Sequence, residues 1–178
     1  MKKLTAVLTA LVMVLTMGMA IAEGVTPFSL NGTYFWGMSE SEIQTALGSV
    51  RMEKEQGQKL TYLEPDDHEF VFEDLSSEIT FGLSEDKLVL IELDFDDRVA
   101  SQSVKDALTA TYGEGAAVTD VASLSELEAM SDPDEIDLRD DDPLTFIQWT
   151  AEDGTRILMI TDSEDDEAKA IFYTLSDK

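Results

Sequence analysis

The stretch EITFGLSEDKLVLIELDF, residues 78–95, decides the class of this fold. Over Glu78–Leu83 apolar residues alternate with polar or small ones, which is the pattern of a half-buried strand. The segment Leu88–Phe95 is apolar at most positions, which predicts a strand at the centre of a sheet. The polar residues Ser84–Lys87 between them predict a turn. The two segments are therefore expected to form an antiparallel hairpin.

Similar short segments predict further strands on both sides of this hairpin. They are Lys59–Leu63, Glu69–Glu73, Leu144–Thr150, Arg156–Thr161 and Lys169–Leu175. Aromatic and β-branched residues, which strands favour, are common in them. Asp153-Gly154 is a strong hairpin signal between the strands over 144–150 and 156–161.

Two short amphipathic helices are predicted as well. Ser39 and Glu42 have the spacing of a capping box, which predicts a helix that begins after Ser39 and extends over 40–47. A second helix is predicted over 102–112, where apolar residues recur on one face. A glycine directly follows each predicted helix, as expected for the left-handed residue that ends one.

The order of these elements predicts an α+β fold, an antiparallel sheet of about five to seven strands with two short helices on one face. A helix followed by antiparallel strands occurs twice, from 39 and again from about 101. This leaves two interpretations open: two tandem α-β-β-β units, or chance similarity between two small α+β segments.

The first 22 residues have the composition of a secretory signal peptide. Lys2 and Lys3 precede an uncharged apolar run, Leu4–Met19, and a small-x-small cleavage site ends at Ala22. The run is shorter than the roughly 20 residues of a spanning helix. We therefore expect cleavage near Ala22, no membrane anchor in the mature chain, and a single secreted or extracytoplasmic domain over 23–178.

The charge and the lack of cysteine exclude several function classes. The formal net charge is −26, and it becomes −28 without the leader, which holds two lysines and no acid. Such a chain repels nucleic acid and anionic lipid, so that a protein or another cationic partner is expected. The absence of cysteine excludes disulfides, thiol catalysis and zinc–thiolate sites.

Residues 120–142 are interpreted as an acidic loop inserted into this domain. They hold ten acids and one basic residue, Arg139, and are expected to be mobile and to present negative charge. Six aspartates are candidate calcium ligands because that ion prefers hard oxygen donors: Asp132, Asp134, Asp137, Asp140, Asp141 and Asp142. The Asp-x-Asp-x-Asp-Gly pattern of a calcium loop is absent, which favours diffuse attraction of cations, and no cofactor is expected.

Catalytic motifs are weak in this chain. A Ser-His-Asp triad would require His68, the sole histidine, whose place in an acidic turn before a strand favours a solvated side chain. Paired carboxylates can hydrolyse glycosides, but among 38 acids some pair would reach a suitable separation by accident. Trp36 and Trp149 are expected in the core rather than in a sugar-binding cleft.

The residues Gly37-Met38-Ser39-Glu40-Ser41-Glu42-Ile43, continuing to Ala46-Leu47-Gly48, resemble the opening helix of beta-lactamase inhibitory proteins and of small outer-membrane assembly lipoproteins. In those families this helix begins a helix-plus-antiparallel-sheet module, and the inhibitory proteins carry two modules in tandem. Preceded by Phe35-Trp36, the motif is also similar to one in uncharacterised exported proteins of Gram-positive bacteria. The chain lacks the lipidated cysteine of the assembly lipoproteins and the disulfides of the inhibitory proteins.

These observations favour a non-enzymatic extracytoplasmic binding module, inhibitor-like or envelope-associated. A small carboxylate-dependent hydrolase and a calcium-dependent structural protein are the alternatives. A pocket with two buried carboxylates would favour the hydrolase, whereas a flat or concave exposed aromatic face of the sheet would favour binding.

Overall fold

The computed structural model describes residues 26–118, 144–162 and 166–174. The leader and the acidic segment 120–142, with its six candidate calcium ligands, lie outside these described residues. The helices are α1 (Glu40–Leu47) and α2 (Ser101–Tyr112). The strands are β1 (Ser29–Leu30), β2 (Tyr34–Phe35), β3 (Met52–Gln56), β4 (Thr61–Pro65), β5 (Phe70–Phe72), β6 (Leu75–Ser84), β7 (Lys87–Phe95), β8 (Ala116–Ala117), β9 (Leu144–Thr150), β10 (Arg156–Asp162) and β11 (Ala168–Tyr173).

Nine of the described strands form one antiparallel sheet. Its order is β3-β4-β6-β7-β11-β10-β9-β8, and β5 pairs with part of β6. The strands β1 and β2 form a separate small hairpin. The α+β class is thus confirmed, whereas the predicted size of five to seven strands is wrong because the sheet has nine.

The two edge strands account for the difference in strand number. The residues of β3 are all polar except Met52, so the strand shows no apolar alternation. It is held by its backbone pairing with β4, and charged side chains on an edge strand discourage pairing with another chain. The strand β8 is only two exposed alanines paired with β9, which is too short to give any pattern.

Tight turns make the central hairpins. Glu85 and Asp86 both have positive φ, 51° and 60°, which is the geometry of a two-residue type I′ turn between β6 and β7. Glu73 and Asp74 join β5 to β6 in the same way, with φ of 47° and 67°. The predicted turn over 84–87 is therefore shorter than expected, because the strands continue up to these two residues.

The main core lies on one face of the sheet. Ile43 of α1 and both Val104 and Leu108 of α2 pack in one apolar cluster with the inner residues of the strands. Trp149 is buried there, and its Nε1 donates to the carbonyl of Gly113, 2.9 Å away. This position agrees with the prediction that Trp149 belongs to the core.

The other predicted core tryptophan, Trp36, is half-buried at the edge of the same cluster. Its ring stacks on Phe28 with centroids 4.6 Å apart, and its Nε1 donates to Thr155 Oγ1 at 2.7 Å. The hydrogen bond to Thr155 links the segment before α1 to the second half of the chain, so Trp36 joins the two ends of the core.

The predicted capping box at the start of α1 is present. Glu42 Oε2 accepts hydrogen bonds from Ser39 N and from Ser39 Oγ, each 2.8 Å long, and these bonds lower the pKa of Glu42. Because the folded pKa is lowered, the contribution of this carboxylate is present above the pKa of the unfolded chain. It is lost as the pH falls through the folded value.

Ser39→Ala is expected to lower the free energy of unfolding by about 0.5–2 kcal/mol, since it removes the hydroxyl of the box. Urea melts at neutral pH measure the effect. Ser49→Ala, at an exposed position just after α1 and outside the box, is the control and should change stability by less than about 0.5 kcal/mol. Equal effects of the two substitutions would mean that the box does not stabilise α1.

Candidate functional site

A groove of about 810 Å³ opens near the C-terminal end of β7, on the face of the sheet opposite the helices. Its position follows from the alternation of side chains along the strands. Ile91 and Leu93 point into the main core, so that Glu92 and Asp94 point to the other face. The same alternation places Glu64 of β4 there, because Leu63 lies in the core.

The lining of this groove is strongly acidic. Eleven of its nineteen lining residues are Asp or Glu, against one arginine and one histidine. Five of the acids are carried by strands of the sheet: Glu53, Glu64, Glu78, Glu92 and Asp94. We name this cavity the acidic groove.

The strand register brings like charges directly opposite each other. Glu53 of β3 is paired with Glu64 of β4, and Glu78 of β6 is paired with Asp94 of β7. Directly opposed like charges destabilise a sheet. One acid of each pair has a cation nearby, since Arg51 lies 3.7 Å from Glu53 and Lys169 lies 3.3 Å from Asp94. The number of acids gathered in this one cavity makes the groove a candidate functional site.

Glu92 is the buried acid of this lining and marks the base of the acidic groove, and one lysine pairs with it. Lys169 Nζ is 2.7 Å from Glu92 Oε1 and 3.3 Å from Asp94 Oδ2. The side chain of Glu92 is only 3% exposed and that of Lys169 16%. The pair is thus part of the packed structure, and the acids nearer the rim are the ones that face solvent.

An arginine lies at the rim. Arg98 Nε and Nη2 donate to the two carboxylate oxygens of Asp96 at 2.7 and 2.6 Å, which holds the pKa of Asp96 well below its usual range. The side chain of Arg98 is largely exposed. Water and salt screen such a pair, so that it contributes little to stability and remains free to rearrange.

His68 also lies at this rim, where it is half-buried in the turn before β5. Two serines line the groove with it, but their hydroxyls donate elsewhere. Ser76 Oγ donates to Glu69 Oε1 at 2.7 Å, and Ser77 Oγ to the carbonyl of Phe70 at 3.4 Å. Neither serine makes the contact with His68 that nucleophilic catalysis by a triad requires.

The carboxylates are spread along the groove rather than gathered around one point. Across the described parts of the chain, no three Asp, Glu or His side chains lie close enough to hold a metal ion. The described part of the acidic groove therefore has the chemistry of a site for several positive charges at some distance from one another.

Sequence reasoning missed this groove. Glu78, Glu92 and Asp94 were visible as the polar positions of two strands, and that pattern is typical of a solvated face. Glu53 belongs to β3, which was not predicted. Local pattern carried no signal that four strands would bring these acids together.

Comparison with family models, with curated proteins and with solved structures finds no match to this chain. Within the described ranges, neither helix is long and apolar enough to cross a membrane.

Proposed function

We propose that this protein is a non-enzymatic extracytoplasmic binding module whose acidic groove takes a cationic segment of a partner protein. The lining of the groove carries the proposal, with eleven acids around about 810 Å³ and few basic groups to neutralise them. The composition of the first 22 residues supports the extracytoplasmic location.

The spread of the charges favours an extended ligand. The strand-borne acids come from four neighbouring strands, β3, β4, β6 and β7. Strands lie about 4.8 Å apart, so these acids extend over roughly 14 Å. A single divalent ion cannot contact acids over that width. Alternate side chains of an extended peptide are about 6.6–6.8 Å apart, and several lysines or arginines of such a peptide could each meet a carboxylate.

The arrangement of the sheet supports two tandem units. Apart from the short β5, which has no counterpart, the order α1-β3-β4-β6-β7 is followed by α2-β8-β9-β10-β11. The last strands of the two sets, β7 and β11, pair antiparallel at the centre. Gly48 and Gly113 end the two helices alike, each donating its backbone N–H to the residue four positions earlier. Two tandem units would fit the resemblance of residues 37–48 to the inhibitory proteins, and that resemblance favours a protein as the partner.

The hydrolase alternative has less support in the described chain. A pair of buried carboxylates would favour it, but Glu92 is the one carboxylate that is buried there, and it is paired with Lys169. Asp94, on the same face, is about half exposed.

Binding of a short peptide of alternating lysine and serine tests the proposal. Glu64→Gln/Glu78→Gln is expected to weaken that binding about 2- to 30-fold, because each exposed charge pair contributes about 0.2–1 kcal/mol. Fluorescence anisotropy with the labelled peptide measures the affinity. The affinity should also fall as salt is added, because exposed charges are screened over about 8–10 Å.

Glu85→Gln/Glu114→Gln is the matched control, since it removes the same charge from exposed positions that do not line the groove. It should change the affinity less than about twofold. The groove variant should melt no lower than the unmodified chain because it relieves repulsion between Glu78 and Asp94. Equal weakening by both variants would indicate attraction by net charge alone and would contradict the proposal.

A further inference from the structure

The strand β3 is an edge of the large sheet. Within the described chain it pairs with β4 alone, and all of its residues after Met52 are exposed. An exposed edge presents a row of unpaired backbone N–H and C=O groups, onto which an extended segment of another chain can add as a further strand. The outer side of β3 is therefore a surface to which a strand can bind.

Two hydrogen bonds at the ends of the β3–β4 ladder identify the backbone groups on this outer side. Asp66 N donates to the carbonyl of Arg51 at 2.8 Å, and Gly57 N donates to the carbonyl of Leu60 at 3.0 Å. Bonded and non-bonded pairs alternate along an antiparallel ladder. The odd-numbered residues of β3 therefore bond to β4, and the even-numbered residues direct their backbone groups outward.

The outward groups are the N–H and C=O of Met52, Lys54 and Gln56. The partner of Met52 in the register is Pro65, which has no N–H to donate, in agreement with a non-bonded pair. Among the described residues, no backbone group bonds to these outward groups. Three consecutive positions of the edge are thus available for pairing.

The side chains that flank these groups on the groove face are acidic. Lys54 points to the opposite face, where it pairs with Glu40 of α1. Glu53 lines the acidic groove, and Glu55 follows on the same face. Arg51 precedes β3 on this face, 3.7 Å from Glu53, with a side chain that is 78% exposed. The edge therefore presents two exposed acids within the strand and one exposed arginine before it.

These charges discriminate between possible occupants of the edge. A second copy paired antiparallel would place the acids of its own β3 beside Glu53 and Glu55, and opposed like charges destabilise a pair of strands. A strand with lysine or arginine at alternate positions would instead place its cations beside the same two acids, and such pairs are stabilising. Charge complementarity therefore favours a cationic strand.

We propose that β3 is a docking edge for an extended segment of a basic partner protein, which adds as an antiparallel strand. Every pairing in the described sheet is antiparallel. Residues of the segment opposite Met52, Lys54 and Gln56 bond to β3, and those opposite Glu53 and Glu55 present the cations. The inference goes beyond the proposed function and does not rest on it, because a ligand of the groove lies across four strands, whereas this segment runs along β3.

Peptides with N-methylated backbones test this mode of binding. The probe is a labelled peptide of alternating threonine and lysine, whose threonines bond to β3 while its lysines face the acids. One version is N-methylated at two internal threonines and another at two internal lysines, so that charge, length and number of methyl groups are equal. Methylation of the threonines removes donors that face β3 and should weaken binding at least about fivefold more than methylation of the lysines.

Fluorescence anisotropy measures these affinities on the full mature chain with Glu64→Gln/Glu78→Gln, so that the groove contributes little. Equal affinities of the two methylated peptides would overturn the proposal, because backbone bonds would then take no part. A larger loss on methylation of the lysines would also overturn it, since the strand would then be parallel. Neither outcome bears on the function proposed for the groove, which is tested by its carboxylates.

Lys54→Pro gives a second measurement, on the side of the protein. Proline removes the outward N–H and leaves the bonds between β3 and β4 in place, a change that an edge strand tolerates. Lys54→Met is the matched variant, because it loses the same charge and keeps the N–H. Lys54→Pro should bind the unmethylated peptide about 2- to 10-fold more weakly than Lys54→Met.

Equal affinities of the two folded variants would contradict the proposal, and if Lys54→Pro does not fold, the methylated peptides decide. Sedimentation of the chain without peptide tests the other occupant. A dimer that Lys54→Pro dissociates and Lys54→Met does not would overturn the proposal, because β3 would then be paired with a second copy of the chain.

Discussion

Lys169→Met is expected to lower the free energy of unfolding by about 3–5 kcal/mol, because it removes a cation from a buried ion pair. The carboxylate of Glu92 is 3% exposed and lies 2.7 Å from Lys169 Nζ. Methionine is close to lysine in length and fills the apolar part of its space, so the loss comes from the charge rather than from a cavity.

Lys54→Met is the control for this prediction. Lys54 forms an ion pair with Glu40, but both side chains are about half exposed. Loss of such a pair costs at most about 1 kcal/mol. Urea melts of the two variants under the same conditions give the comparison.

The double variant Lys169→Met/Glu92→Gln tests whether the charge of Glu92 causes the loss of stability in Lys169→Met. Neutralising the carboxylate should restore a large part of the lost stability, because the double variant no longer buries a charged group at position 92. Equal stability of Lys169→Met and Lys54→Met would show that Glu92 is solvated. In that case the base of the acidic groove would be open to water.

The pair also determines which acids of the groove can meet a ligand. Lys169 holds Glu92 and Asp94 at the base, whereas Glu64 and Glu78 are exposed nearer the rim. An incoming cation reaches the rim acids without desolvating them fully. Stability and binding are therefore expected to depend on different carboxylates of the same groove.

The helices and central strands were predictable from local sequence. The capping box of Ser39 and Glu42 fixes the start of α1 by bonds within four residues, and the apolar residues of 88–95 leave little alternative to a buried strand. Both signals depend only on neighbours in the chain. The structure accordingly agrees with them to within a residue or two.

The edge strand β3 and the acidic groove were not predictable in this way. The sequence MEKEQ of β3 has no apolar alternation, and the strand exists because the backbone of β4 offers it hydrogen bonds. The acids of the groove come from four strands, and their proximity depends on the register between those strands. Register between distant strands is a tertiary property, which no local pattern of charge encodes.

Ile91→Ala is expected to lower the free energy of unfolding by about 2–5 kcal/mol, since it leaves a cavity in the main core. Ile91 is fully buried on β7, opposite Phe81 of β6 and Phe172 of β11. Val71→Ala on β5 is the control, because Val71 is also β-branched but 47% exposed. Val71→Ala should lower the free energy of unfolding by no more than about 1 kcal/mol, which is the range that strand propensities span.

The position of Ile91 between β6 and β11 also predicts how the Ile91→Ala variant unfolds in urea. Phe81 belongs to the first set of strands and Phe172 to the second, so that the cavity loosens both sets at once. Unfolding should therefore remain a single transition with its midpoint at a lower urea concentration. The slope of the free energy of unfolding against urea concentration should not change, because the same surface is exposed on unfolding. Two separate transitions would show that the two sets unfold independently, and an effect no larger than that of Val71→Ala would contradict the central place of β7. Since the pairing of β7 with β11 is the described contact between the two sets of strands within the sheet, this variant measures how far that pairing makes them one cooperative unit.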